Sequence, residues 1–335
     1  MTHAPLKLDS SFTLPTGTVI KNRLFKSAMS EQLGDKQHNP TKGLANLYRR
    51  WAQGGLGLSM SGNIMIDRSA LGEPKNVVLD EQSDLNLFRQ WTQAGTENGT
   101  HLWAQLNHPG KQIPNFITKE PVAPSAIALK RGLEKGFNKP RALKEDEIFG
   151  IIGRFAKAAH LAKESGFTGV QIHGAHGYLV SQFLSPSHNQ RDDQWGGSLE
   201  NRMRFVREVY KAIRAEVGDD FPIGIKLNSA DFMKGGFSEE DSMQVIKQLS
   251  EDGIDLIEVS GGTYESPAMV GHRDKDDQPK ASTVKREAYF LEYAESVRQH
   301  TNKPLVVTGG FRSSKGMVDA LNSGACDFVG LGRPF

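Results

Sequence analysis

Two histidines three residues apart, His173 and His176, and then Tyr178, stand in the stretch GVQIHGAHGYLVSQFLSP, which runs from Gly169 to Pro186. Three chemistries are open to that grouping. A His-x-x-His pair can ligate a metal, because imidazole is a common ligand; no carboxylate or cysteine stands close by in sequence, so other ligands would have to come from elsewhere. Two neutral imidazole N–H groups can instead converge on one substrate oxygen, with the tyrosine as a proton source. Or the histidines are loop residues satisfied by backbone groups. Local sequence leaves all three standing.

A second group of chemistry-bearing residues lies near the C-terminus. VTGGFRS contributes Gly309 and Gly310, and GLGRPF contributes Gly332 and Arg333. Glycines let backbone N–H groups approach a phosphate closely, and an arginine can grip one through two parallel bonds. Turn-making alone would also explain the glycines. Two Gly/Arg segments, each after one of the last two strand-like runs, make phosphate binding the stronger reading.

These residues need elements to position them. Short apolar runs suited to buried parallel strands occur at Phe25–Met29, Leu56–Met60, Leu102–Leu106, Gly169–His173, Ile223–Leu227, Leu256–Val259, Leu305–Thr308 and Phe328–Leu331. Helical patterns lie between them, the clearest over Glu145–Ser165 and Ser198–Val217. In the first, Ile148, Ile152, Phe155, Ala159 and Ala162 form one apolar stripe. Glu145, Asp146 and Glu147 sit in its first turn and oppose the helix dipole. Ser198 and Ser238 read as N-caps, with Asp241 as a box-like partner of Ser238. Eight strands alternating with helices predict an α/β fold, a (β/α)₈ (TIM) barrel in one domain, with chemistry at the C-terminal strand ends. An open dinucleotide-binding sheet is a poor reading, because GGLGLSMSG lacks the Gly-x-Gly-x-x-Gly spacing. Residues 109–141 have no clean period and are expected to cover the barrel mouth. The chain stops at Phe335, just after the eighth run, where a closing helix is expected; truncation is the favoured reading.

Composition narrows the class. The 335 residues are 37% hydrophobic and 24% charged, with 41 Lys plus Arg against 39 Asp plus Glu. A net charge of +2 argues for neither a nucleic acid nor a membrane surface. No apolar run approaches the ~20 residues of a membrane span, and the N-terminus lacks a signal-peptide core. Cys326 is the one cysteine, which excludes an internal disulfide framework and any four-cysteine cluster in this chain. The expected setting is the cytoplasm.

IHGAHGYLVSQFLSPSHNQRDDQWGGSLENRMRFVREV resembles the signature stretch of the Old Yellow Enzyme family of FMN-dependent oxidoreductases, and KNRLFKSAMS, WAQLNHPGKQ, GGFRS and GLGRPF match its other blocks in order. The resemblance runs from about Leu6 to Phe335. It implies a barrel carrying non-covalent FMN at its mouth and NADH or NADPH as electron donor, with reduction of an activated C=C bond. It also implies roles. Ser27, Ala28, Met29 and Ser30 should run beside the flavin, with Ser30 near the C4 carbonyl and Gly62 facing it. Gln105 should pair with the pyrimidine edge, whose groups suit an amide, and Lys226 should stand where relatives carry a flavin-contacting arginine. Gly309, Gly310, Gly332 and Arg333 should hold the phosphate. His173 and His176 should bind the substrate's carbonyl oxygen and Tyr178 should protonate Cα. No metal is expected. Lys111, Arg191 and Arg49 have no assigned role, and surface salt bridging is the default for each.

The partner is expected to be a small enone-type molecule, and homo-oligomer formation is left open. A flavin-dependent amine or N-methyl oxidoreductase is the alternative on the same barrel. A flavin-free phosphosugar enzyme or a binding protein is the competing class, separable by the colour of the purified protein.

Overall fold

Alternate residues of a barrel strand face the lumen and the surrounding helices, so apolar side chains on both faces produce the near-continuous apolar runs seen here. In the computed structural model, which describes residues 5–130, 132–261, 265 and 291–332, those runs form a closed ring of parallel strands. They are β1 (Leu24–Lys26), β2 (Leu58–Met65), β3 (His101–Asn107), β4 (Gly169–Gly174), β5 (Ile223–Asn228), β6 (Leu256–Ser260), β7 (Leu305–Thr308) and β8 (Phe328–Leu331). Each pairs with the next, and β8 returns to β1 through Gly330 opposite Phe25. The ring is therefore closed, as the sequence predicts.

The helices are α1 (Lys42–Gln53), α2 (Leu85–Gly95), α3 (Glu145–Glu164), a short α4 (Leu179–Leu184), α5 (Leu199–Val217), α6 (Glu239–Asp252), helical residues 291–298 and α7 (Ser314–Asn322). The expected caps are present. Ser198 Oγ accepts from Asn201 N–H and Ser238 Oγ from Asp241 N–H. Asp241 does not complete a box, because its carboxylate pairs with Arg202 at 2.9 Å instead. No helix among the described residues is long and apolar enough to cross a membrane.

Two strand boundaries differ from expectation. β1 ends at Lys26, and Ser27–Ser30 continue without regular pairing. β2 is displaced toward the mouth, with a register shift between Met60 and Asn63. A bulge of this kind re-aims side chains at a barrel rim, which a periodicity argument does not register.

The lumen is layered. Its lower part is an apolar plug of Phe25, Leu58, Met60, Trp103, Leu256, Val306 and Phe328, closed by Leu14 and Ile20 from the N-terminal segment. The outward faces, Ile225, Leu227, Ile257, Val259 and Val307 among them, join the continuous core beneath the helices. Above the plug the lumen changes character.

Candidate active site

One residue-pair farther along the strands, inward positions that a packed barrel fills with Val, Ile or Leu carry polar side chains. Ser27, Gln105, Gln171, Lys226 and Glu258 are buried, with Thr308 half-buried beside them. Ser27 and Thr308 share a 2.7 Å hydrogen bond, Thr308 donates to Glu258 Oε1 at 2.7 Å, and Lys226 Nζ lies 3.1 Å from the same oxygen. Gln171 Nε2 donates to Glu258 Oε2 at 2.9 Å, and Gln105 Nε2 to Gln171 Oε1 at 2.7 Å. Gln171 stands two strands from Glu258, so this bond crosses the lumen. Gly330 makes room for the layer: a Cβ there would collide with Thr308 Oγ1 and press on Ser27 Oγ.

Such a layer is expensive unless each charge is matched. Removing one partner of a buried ion pair typically costs about 3–5 kcal/mol, because the other charge is left uncompensated. Here Glu258 receives a hydroxyl, an amide and an ammonium, which is what burial of a carboxylate demands. The sequence reading placed Gln105 and Lys226 in the site but missed Gln171 and Glu258. Polar residues at inward positions of otherwise apolar strands were the available signal.

At the mouth, β4 delivers His173, and the following loop turns sharply. His176 and Gly177 both have positive φ, 62° and 78°. A non-glycine residue there carries roughly 1–2 kcal/mol of strain. Both backbone groups of His176 are held: its N–H donates to Asn228 Oδ1 at 3.1 Å, and its carbonyl accepts from Gln112 Nε2 at 3.1 Å. The turn brings Tyr178 back at the start of α4, with its ring 4.8 Å from that of His173. The two imidazoles are 5.2 Å apart and nearly perpendicular. Tyr178 and both histidines therefore converge.

Their protonation follows from geometry and burial. Ala175 N–H donates to His173 Nδ1 at 3.2 Å, so in the neutral ring the proton sits on Nε2. Burial, then the neighbouring His176 and Lys226, hold His173 well below the usual imidazole range, and burial followed by Lys226 does the same to His176. His176 Nε2 is 2.8 Å from Ser260 Oγ. Asn63 Nδ2 approaches the Tyr178 hydroxyl at 3.5 Å. Asn63 Oδ1 and Asn107 Oδ1, at the mouth ends of β2 and β3, are buried without a hydrogen-bond partner.

The segment after β1 lies against β2. Above Gly62 the space a side chain would need is taken by Met29 O and the Glu31 carboxylate. Ser30 is exposed and donates to Glu73, while Ala28 and Met29 are half-buried. Glu31 accepts from the Tyr48 hydroxyl at 2.5 Å, and Gly62 N–H donates to that same hydroxyl at 3.0 Å. Behind them Lys26 is wholly buried against Tyr48 and Trp51, and burial pushes it down to about 8. After β7, Gly309 and Gly310 have φ of 100° and 87°. Gly332 follows β8, 3.8 Å from Met29 Sδ by its absent Cβ. Arg333 lies outside the described residues.

The sequence and the solved structures both point to one family. Residues 10–335 match the NADH:flavin oxidoreductase / NADH oxidase family. The chain belongs to that family. It is 37% identical to an NADH-dependent flavin oxidoreductase, iliE, of Hypocrea jecorina, over 99% of this chain and 86% of that protein. Against the iliE protein of Neonectria sp. it is also 37% identical over 99% of its length but spans only 46% of that relative. A 2-naphthoyl-CoA reductase in complex with 2-naphthoyl-CoA superposes with a TM-score of 0.88 at 27% identity, over 98% of this chain and 50% of that one. The Old Yellow Enzyme homologue from Zymomonas mobilis superposes at 0.81, also 27% identical, over 98% and 89%. The family and its Old Yellow Enzyme members fix the cofactor as FMN and the class of reaction as flavin-dependent oxidoreduction.

The residues present fit FMN. A dipolar amide, a buried cation and unpartnered amide oxygens suit a heteroaromatic ring with mixed donors and acceptors. Consecutive positive-φ glycines after β7 suit a phosphate, at the strand pair where barrels commonly place one.

Three unassigned basic residues resolve differently. Arg49 makes the expected surface ion pair, 2.8 Å from Glu97. Arg191 pairs with Asp193 but also donates to the carbonyls of Pro124 and Leu143, and it is largely buried. Lys111 overturns the surface expectation. It is buried, donates to Ile127 O at 3.1 Å and lies 2.9 Å from His188 Nδ1. Burial pushes Lys111 down to about 8 and His188 to about 3, so His188 accepts from the lysine. Lys111 and Arg191 fasten segment 109–141 to the loop after β4, and Lys130 N–H on Glu265 ties it to the loop after β6.

Proposed function

We propose that the chain reduces the activated C=C bond of α,β-unsaturated carbonyl compounds with electrons from NADH or NADPH. Bound FMN supplies the hydride that moves from nicotinamide to substrate. The observation that carries this reading is the neutral pair His173 and His176 beside Tyr178 at the barrel mouth.

Two neutral N–H donors aimed at one carbonyl oxygen stabilise the negative charge that gathers there as hydride reaches Cβ. A donor in such a position is commonly worth ~3–4 kcal/mol of barrier. Imidazoles held neutral by burial are suited to this role, since a cationic pair would bind any anion indiscriminately. Tyr178, packed on His173, gives its hydroxyl proton to Cα, and Asn63 Nδ2 lies 3.5 Å from the phenol oxygen. Gln105 and Lys226 would meet the pyrimidine edge of bound FMN, Gly309, Gly310, Gly332 and Arg333 would hold its phosphate, and Ser27, Ala28, Met29, Ser30 and Gly62 would line the ring.

The test is anaerobic. One FMN per chain should be present, give a band near 450 nm, bleach with NADH or NADPH, and regain colour with cyclohexenone. Bleaching by methylated amines, with no reoxidation by enones, would replace this reading with amine oxidation. A colourless protein that takes up no FMN would remove the flavin assignment.

A further inference from the structure

Glu258 has no role toward the cofactor in the reading so far, yet every polar side chain of the lumen layer leads to it. It is fully buried on β6, with Thr308 and Lys226 at one oxygen and Gln171 at the other. A carboxylate only accepts hydrogen bonds, so the protons of its partners must point toward it. That requirement sets the direction of the whole layer. Thr308 gives its proton to Glu258, so its oxygen accepts from Ser27. Gln171 turns its NH₂ to Glu258 and its carbonyl to Gln105. Gln105 must then turn its own NH₂ to Gln171, which leaves the carbonyl oxygen on the other edge of its amide. Lys226 has Glu258 as its carboxylate, at 3.1 Å, so the pair is close to neutral as a unit.

We propose that Glu258 is a positioning residue for the flavin: it balances the charge of Lys226 and, through Gln171, fixes which edge of the Gln105 amide meets the cofactor. The inference rests on the flavin reading of the lumen and adds a residue that touches no reacting atom. It has an electrostatic signature with a definite sign. Reduced flavin carries a negative charge that the oxidised form lacks, so net charge near a bound flavin would shift the two forms unequally. Removing the Glu258 charge leaves Lys226 unbalanced and favours reduced flavin. Removing the Lys226 charge leaves Glu258 unbalanced and favours oxidised flavin. Removing both restores the balance.

The experiment is a set of midpoint potentials, measured by dye equilibration on the holoprotein, for wild type, Glu258→Gln, Lys226→Met and the double variant. Glu258→Gln keeps the shape but can donate as well as accept, so the amide order of Gln171 and Gln105 is no longer unique. It should favour reduced over oxidised flavin by at least tenfold, which is a rise of about 30 mV for a two-electron couple. Its FMN dissociation constant should rise severalfold. Glu258→Asp, which keeps the charge, should hold a potential within threefold of wild type on the same scale. Lys226→Met should move the opposite way, and the double variant should return to within threefold of wild type. A Glu258→Gln potential at or below wild type, with FMN bound one to one, overturns the proposal. If Glu258→Gln does not accumulate as folded holoprotein, the double variant decides: a potential as low as that of Lys226→Met alone overturns the proposal. Wild-type protein that takes up no FMN overturns the flavin reading itself, and this inference with it.

Discussion

At the scale of single residues, the site depends on side chains that keep one protonation state. Ala175 fixes the tautomer of His173, and burial keeps both mouth histidines neutral. His173→Ala and His176→Ala should each weaken phenolic ligands, which mimic an enolate, and slow enone reduction about 10²–10³-fold. Reduction of the flavin by NADH or NADPH should suffer less. Stopped-flow measurement of the two half-reactions separates these effects, and unchanged enone turnover in the double variant would end the oxyanion role. For Lys226→Met, a hydrogen bond to a charged group is worth about 1.5–3 kcal/mol. The flavin potential should therefore fall by roughly 30–65 mV. The ion pair with Glu258 keeps that sign, because the carboxylate left behind repels the reduced anion. An unchanged or raised potential would place Lys226 away from the ring.

At the scale of elements, the candidate site stands at strand ends while helices and lower strands hold it. Gly309 has φ of 100° and no atom within 4 Å of where a Cβ would stand. Gly309→Ala therefore clashes with nothing, and its cost is backbone strain of about 1–2 kcal/mol. Its FMN affinity should drop because the N–H groups of the loop no longer hold their directions; fluorescence titration of apoprotein with FMN measures this. Segment 109–141 is fastened by Lys111, Arg191 and Gln112 to the β4 loop and to backbone carbonyls. Exchange of that segment with the one from a relative of opposite coenzyme preference should shift the NADPH/NADH ratio of kcat/KM. A ratio that stays put would assign coenzyme choice elsewhere.

At the scale of the molecule, several buried histidines make stability depend on pH with a predictable sign. Burial lowers His173 and His176 well below the ordinary value, His108 to about 4 and His188 to about 3. Their unfolded counterparts titrate near 6.5. Below that value the unfolded chain binds protons that the folded chain refuses. Stability is then fully present above about pH 6.5 and lost as pH falls toward the folded values. Each histidine adds a slope of about 1.4 kcal/mol per pH unit. Urea midpoints should drop clearly between pH 7.5 and pH 5, and equal midpoints would mean that these rings are not held neutral.

The barrel was legible because its rule is local: strands buried on both faces read as apolar runs, and helices between them show one apolar stripe with acidic first turns. The order of motifs along the chain placed the histidine pair and the glycine loops at strand ends. Three things were beyond that rule. The bulge in β2 leaves the composition of the strand unchanged, so its displacement could not be read. Lys111 is an ordinary lysine in a polar stretch, and only folding places His188 and Ile127 O around its ammonium. Glu258 sits in LIEVS, one charged residue in an apolar run, and nothing in that run says which charge will face it. Outside the bulged β2, sequence determined which residues lie at inward positions, because strand alternation is a property of neighbouring residues. Only the closed ring decided which inward residues meet, because β4 and β6 are not adjacent and Gln171 reaches Glu258 across a lumen that exists only once the barrel has closed.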